Sequence, residues 1–137
     1  METKLTYKYI GDRDLRDAQV LLQAGSASMT GRLVQQAVEK NLKQFIEDNG
    51  DTNDLPILSA HNCVKLYDRV VALGGLTRNA DDRKMMALLR EYYYDTNYPG
   101  EDCRELSREE AEEAVYFAID FIKEIKFTKT EPEDSEF

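Results

Sequence analysis

Between Thr30 and Asn49 the chain reads TGRLVQQAVEKNLKQFIEDN, and Leu33, Val34, Ala37, Val38, Leu42, Phe45 and Ile46 return at three- and four-residue spacing. That spacing winds them onto one stripe of a helix and turns Gln36, Glu39, Lys43 and Glu47 to the other, solvated side. Gly50 follows, where a left-handed exit from the helix is expected. Asn41 is the one polar residue inside the stripe, between Ala37, Val38 and Phe45 on the wheel. A buried amide needs partners, so Asn41 is expected to bond a neighbouring helix, the alternative being a wet groove.

The same pattern recurs along the rest of the chain. Asp12 is a candidate N-cap for a first helix to about Ala24, with Leu15, Ala18 and Leu22 inward and Gly25 ending it. Residues 1–11 form an N-terminal arm whose Tyr7, Tyr9 and Ile10 lie over the bundle. The short linker GSASMTG makes the first two helices antiparallel. GDTNDLPILS reads as a turn-rich loop carrying an apolar plug, Leu55 to Leu58. Ser59 caps a third helix, Ala60 to Leu73, with Cys63, Val64, Tyr67, Val70 and Val71 inward, and Gly74-Gly75 breaks it. A fourth runs from about Asp81 to Tyr94 on an inner face of Met85, Leu88, Leu89 and Tyr92. Ser107 with Glu110 forms a capping box for a fifth, to about Lys126, burying Ala111, Ala114, Val115, Ala118, Phe121, Ile122 and Ile125. Acidic residues load its first two turns, where the helix dipole favours them. No period-2 stretch and no internal repeat competes, so the prediction is all-α: one up-and-down bundle of about five helices over residues 12–126. Residues left over after filling one core, Met86, Tyr93 and Tyr94, suggest a symmetric interface.

At 137 residues and 42% hydrophobic content the chain is long enough for one unstapled core. It has no apolar run long enough to span a bilayer and no visible secretory signal, so a cytoplasmic protein without a membrane role is expected. Cys63 and Cys103 stand outside any CxxC spacing and are expected as reduced thiols. A net charge of −9 argues against sequence-blind nucleic-acid binding, which runs on Lys and Arg neutralising phosphates, though not against a local basic groove. Part of the acidity is a tail, residues 127–137, whose Glu131, Glu133, Asp134 and Glu136 read as disordered and solvating.

Few residues carry obvious chemistry. The single histidine, His61, sits at the start of the third helix on the border of its apolar stripe. It has no HxxxH or HExxH partner, so no metal site is expected. There is no GxSxG elbow and no phosphate-cradling glycine loop, so no cofactor is expected either. The other unusual stretch is LLREYYYDTNYPG, residues 88–100, whose tyrosines beside Arg90 suit stacking on a base or closing a helix interface. Tyr98-Pro99 is a candidate cis bond, with trans the expected form.

Taken in order, AVEKNLKQFIEDNG, AHNCVKLYDRV, LLREYYYDTNYPG and EEAEEAVYFAIDFI resemble the HEPN domains (higher eukaryotes and prokaryotes nucleotide-binding) over about residues 10–126. Lys40 and Lys43 match the family's basic residues after its Ala-x-Glu run. His61-Asn62 matches its His-Asn/Asp pair, and Tyr94 with Tyr98-Pro99 its Tyr-Pro ending. The resemblance implies a helical bundle, commonly a homodimer, with an inter-subunit groove suited to a nucleotide or RNA. Some members are metal-independent ribonuclease toxins paired with a nucleotidyltransferase-fold antitoxin. Those nucleases carry Arg, four to six residues, then His, late in the chain. Here no His follows Arg90, Arg104 or Arg108, and the nearest Arg before His61 is Arg32. Without that imidazole the usual proton-transfer partner near neutral pH is missing, so no catalytic residue is assigned. The expectation is a non-catalytic homodimer binding a nucleotide or other anionic ligand, or a partner protein. Its candidate contacts are Lys40, Lys43, His61, Asn62, Arg90, Tyr94 and Tyr98. The alternatives are an RNA-cleaving toxin with a divergent site and a structural dimerisation module.

Overall fold

The computed structural model describes residues 5–97 and 105–127, residues 94–97 by their backbone alone. Among them run five α-helices: α1 (Tyr7–Gln23), α2 (Ala27–Asn49), α3 (Cys63–Ala72), α4 (Ala80–Asn97) and α5 (Arg108–Glu124), with a 3₁₀ helix, Thr52–Ser59, between α2 and α3. The all-α bundle expected from the apolar pattern is the observed architecture.

The α2 helix is the hub, packing against each of the other four α-helices and the 3₁₀ segment. Val34, Ala37, Val38, Leu42, Phe45 and Ile46 are all buried. Antiparallel pairing of α1 and α2 shows in three cross-contacts. The Lys8 amide donates to Gln44 Oε1 (3.1 Å), Asn41 Nδ2 to Asp12 Oδ1 (3.3 Å), and Thr30 Oγ1 to the Ala18 carbonyl (3.4 Å). Asn41 thus makes the interhelical bond its position demands. It also donates to the Ala37 carbonyl (2.9 Å) and accepts from Lys8 Nζ (3.1 Å). Gly11 lets the two helices approach here, since a Cβ would come within 2.8 Å of Asn41 Nδ2.

Several boundaries differ from the sequence reading, each for a local reason. The N-cap of α1 is Thr6, whose hydroxyl accepts from the Tyr9 amide, so Tyr7 and Ile10 belong to the first helix rather than to an arm. Gly50 leaves α2 extended (φ −88°), not left-handed. Glycine suits that place because a Cβ would collide with the Asp54 carboxylate. The apolar plug is a 3₁₀ helix with a capping box, Asp51 to Asp54, and Leu55 stays 62% exposed while Ile57 and Leu58 pack on the core. It carries the chain back along the bundle, so α3 runs in the sense of α2. Cys63 meets Gln35 near one end and Gly75 meets Phe45 near the other. Asn62 caps α3, not Ser59, and Leu66 joins its buried face. On α4 Leu89 and Tyr92 are buried as expected and Met86 joins them, while Met85 and Leu88 are half-buried. Met86 is therefore core, not a leftover for an interface. The α5 helix follows its predicted face and its Ser107/Glu110 box throughout.

Candidate functional site

Gln35, Glu39 and Lys43 fall at i, i+4 and i+8 of α2 and so line up along one side, one turn apart. The wheel puts Glu39 and Lys43 beyond the apolar stripe, but both are buried, 2% and 4% exposed. The correction has a simple cause: a hub helix is covered on more sides than one stripe of apolar residues announces. Burying a lone charge costs several kcal/mol, so the two charges are buried as a pair. Lys43 Nζ donates to Glu39 Oε2 at 2.8 Å and also lies 5.9 Å from the centre of the Tyr7 ring. Gln35 Nε2 donates to Glu39 Oε1 at 2.8 Å, while Gln35 Oε1 is buried with no hydrogen-bond partner among the described residues.

His61 completes the cluster from outside. Its Nδ1 lies 3.3 and 3.4 Å from the two Glu39 oxygens, and its side chain is 51% exposed. The ring stacks on Tyr93 of α4, centroids 5.1 Å apart and planes 17° from parallel. A carboxylate only accepts hydrogen bonds, so in this geometry Nδ1 carries the proton and Nε2 is the open nitrogen. Nε2 has no hydrogen-bond partner among the described residues. Cys63, two residues after His61, is fully buried, its Sγ against Gln35. Its thiol is pushed up to about 12 by burial first and then by the Glu39 carboxylate. It stays protonated at neutral pH and is no nucleophile. The site therefore offers an imidazole fixed in orientation by a buried carboxylate and a flat aromatic neighbour. Among the described residues no group of His, Cys, Asp and Glu side chains could hold a metal ion.

The sequence matches the HEPN domain family over residues 6–128. The chain belongs to that family. Its fold is similar to the crystal structure of TT1696 from Thermus thermophilus, with a TM-score of 0.70, 24% identity, and coverage of 88% of this chain and 93% of that one. No curated protein matches the sequence.

In this HEPN domain the sequence-predicted contacts separate. Lys43 and His61 meet through Glu39, but Lys43 is sealed and neutralised, which removes it as a phosphate contact. Lys40 faces α1 instead, its Nζ 3.9 Å from Asp14 Oδ2. Asn62 Oδ1 is taken by the α3 cap, accepting from the Val64 and Lys65 amides. Arg90 is exposed on α4, three residues before Tyr93 and so on the same side of that helix. The side chain of Tyr94, together with Tyr98 and the Tyr98-Pro99 bond, lies outside the described residues. Glu39 and Gln35 are site residues that the sequence reading does not pick out, and it gives Tyr93 to an interface. The legible signal is the Gln-x-x-x-Glu-x-x-x-Lys spacing beside a stripe containing no other charge.

Proposed function

We propose that this HEPN domain is a non-catalytic binding module that works as a homodimer, and that the His61–Tyr93 surface is where it holds its ligand. The observation that carries the reading is the Glu39-anchored, Tyr93-stacked, half-exposed imidazole. A ring held from behind by a carboxylate and from the side by a tyrosine loses little freedom when a ligand docks, which favours binding. The stack suits a planar group, and His61 Nε2 supplies one directed hydrogen bond. For a nucleotide or other anionic ligand the cation would be Arg90, exposed on the side of α4 that carries Tyr93. With a partner protein the same surface would take an aromatic or amide side chain. A nucleotidyltransferase-fold protein is the partner that the family resemblance suggests.

Calorimetric titration with ATP, GTP and short RNA, on wild type and on His61→Ala, Tyr93→Ala and Arg90→Ala, tests this. Binding in about the micromolar range that weakens at least tenfold in His61→Ala and Tyr93→Ala is expected, since each stack or directed bond contributes about 1–3 kcal/mol. Binding that all three variants retain would move the ligand elsewhere. A second reading has one observation in its favour: a carboxylate-held imidazole with an open Nε2 is also the form of a general base. Cleavage of single-stranded RNA that disappears in His61→Ala would replace the non-catalytic reading with a ribonuclease using a divergent site. Intact RNA is the expected outcome.

A further inference from the structure

Among the described residues three side chains keep a buried polar atom without a hydrogen-bond partner: Asp14, Arg32 and Gln35. Arg32 is the cation of the three. Its unpartnered atom is Nε, part of the fork that an arginine turns to a carboxylate or phosphate. Arg69, Arg83 and Arg108 use it so, their Nε donating to Asp54, Asp68 and Glu112 at 2.6, 2.9 and 3.1 Å. The Arg32 guanidinium instead donates from Nη1 to Met29 Sδ at 3.4 Å. A thioether is an uncharged and weak acceptor, a poor partner for a guanidinium. Asp14 has Lys40 3.9 Å away and Gln35 is fully buried, whereas Arg32 is half-buried at the surface.

The position of this cation matters as much as its state. Arg32 precedes Glu39 by seven residues, which leaves the two about 20° apart around α2 and about 10 Å apart along it. They share the side of the helix on which Glu39 meets His61. Gly31 packs on Tyr92 of α4, since a Cβ there would lie 3.6 Å from the Tyr92 ring. Arg32 and Tyr93 are the next residues on those two helices. The cation therefore stands toward the Tyr93 end of the site, about two turns of α2 from the carboxylate that holds the imidazole.

We infer that Arg32 anchors an oxyanion at the far end of the ligand held by His61 and Tyr93. The site then selects a flat ring joined to a terminal phosphate by a spacer of about 10 Å. A nucleoside triphosphate has this form. A nucleoside lacks the anion, and a monophosphate carries it too close to the ring. Met29 is 39% exposed and its side chain is unbranched, so it yields readily. Its departure lets the guanidinium turn, and Nε with one Nη presents the two parallel donors that a phosphate takes. An anion there also satisfies a donor that is otherwise buried and unpaired, a gain that a solvated cation does not offer. A chain of net charge −9 repels phosphates at long range, so selection for a longer anion has to come from a short-range contact of this kind.

This inference rests on the ligand-binding reading of the His61–Tyr93 surface. Calorimetric titration of the full chain with adenosine, AMP and ATP, without divalent metal, tests the two separately on wild type, Arg32→Gln and Arg32→Lys. Wild type is expected to bind ATP at least about tenfold more tightly than AMP or adenosine, the equivalent of one charge-assisted contact. Arg32→Gln should erase that preference and leave adenosine binding within about threefold of wild type. Arg32→Lys keeps the charge without the fork and should retain part of the preference. Circular dichroism reports whether each variant is folded. An ATP preference that survives Arg32→Gln, or a wild type that binds all three probes equally, would overturn the inference and leave the surface standing as a binding site. Adenosine and ATP weakened in equal proportion by Arg32→Gln would also overturn it, since a merely structural role has that signature. A wild type that binds none of the three would overturn both.

Discussion

Replacing Glu39 with leucine removes the acceptor at the centre of the buried cluster. Lys43 Nζ would remain in place with a side chain only 6% exposed and no counter-charge, and Gln35 Nε2 would lose its 2.8 Å bond. Breaking one half of a buried ion pair costs about 3–5 kcal/mol because the other charge is left uncompensated. The orphaned Gln35 N–H belongs to the same cluster, so its penalty overlaps that figure and is not added to it. Against a total stability of about 5–15 kcal/mol for a domain, Glu39→Leu should bring this protein close to unfolding. Removing both charges is different. Glu39→Leu/Lys43→Met takes away two desolvation penalties together with one attraction, and such replacements are neutral or stabilising by about 1–4 kcal/mol. Urea unfolding at pH 7 and one fixed protein concentration, read as midpoint and slope, measures all four corners of the cycle. The expected result is a large loss in Glu39→Leu and in Lys43→Met, with recovery in the double variant. A loss below about 1 kcal/mol in Glu39→Leu, or a double variant as unstable as the worse single, would refute the buried-pair argument.

Three further outcomes are expected. Burial raises the Asp14 carboxyl above its ordinary value, with nearby Lys40 opposing the shift. A raised folded-state value gives stability that is present at low pH and lost as pH rises through it, so Asp14→Asn should stabilise the protein at neutral pH. That advantage should fade below the ordinary carboxylate range, about pH 4, in urea unfolding measured across pH. Gly75→Ala should destabilise by about 1–3 kcal/mol, since overpacking a filled core forces its neighbours to move. The new Cβ would meet Phe45 ring carbons at 2.6 and 2.7 Å and Val70 Cγ1 at 2.7 Å, and a thermal melt reads the loss. In a Cys103→Ser background, the protonated and buried Cys63 should not react with a thiol reagent at neutral pH until denaturant is added.

The fold is legible because its signals are local and redundant. The α2 stripe, the Ser107–Glu110 box and the seven-position inner face of α5 each follow from spacing that one helix satisfies by itself. The sequence pattern starts α3 too early because Asp51 builds a capping box inside a stretch that reads as loop, and that box creates a 3₁₀ helix and shifts the cap to Asn62. The site is much less legible. A wheel distinguishes apolar from polar positions, but it does not say how many neighbours a helix will have. Glu39 and Lys43 look solvated on α2 alone and become buried only when other elements close over them. His61 stands out as the only histidine, but its partner lies 22 residues away on α2, a contact that no local pattern encodes.

The central claim is that His61 is held by Glu39 so that Nε2 faces the ligand, and imidazole nitrogen NMR on selectively labelled full-length protein tests it most directly. At alkaline pH, where an imidazole is neutral, the spectrum should show a protonated Nδ1 and a bare Nε2. On addition of short RNA, or of whichever nucleotide binds most tightly, Nε2 should be the nitrogen whose resonance moves, with Nδ1 held nearly constant by Glu39. A proton on Nε2 in the free protein, or a saturating ligand that leaves both nitrogens unchanged, would contradict the account.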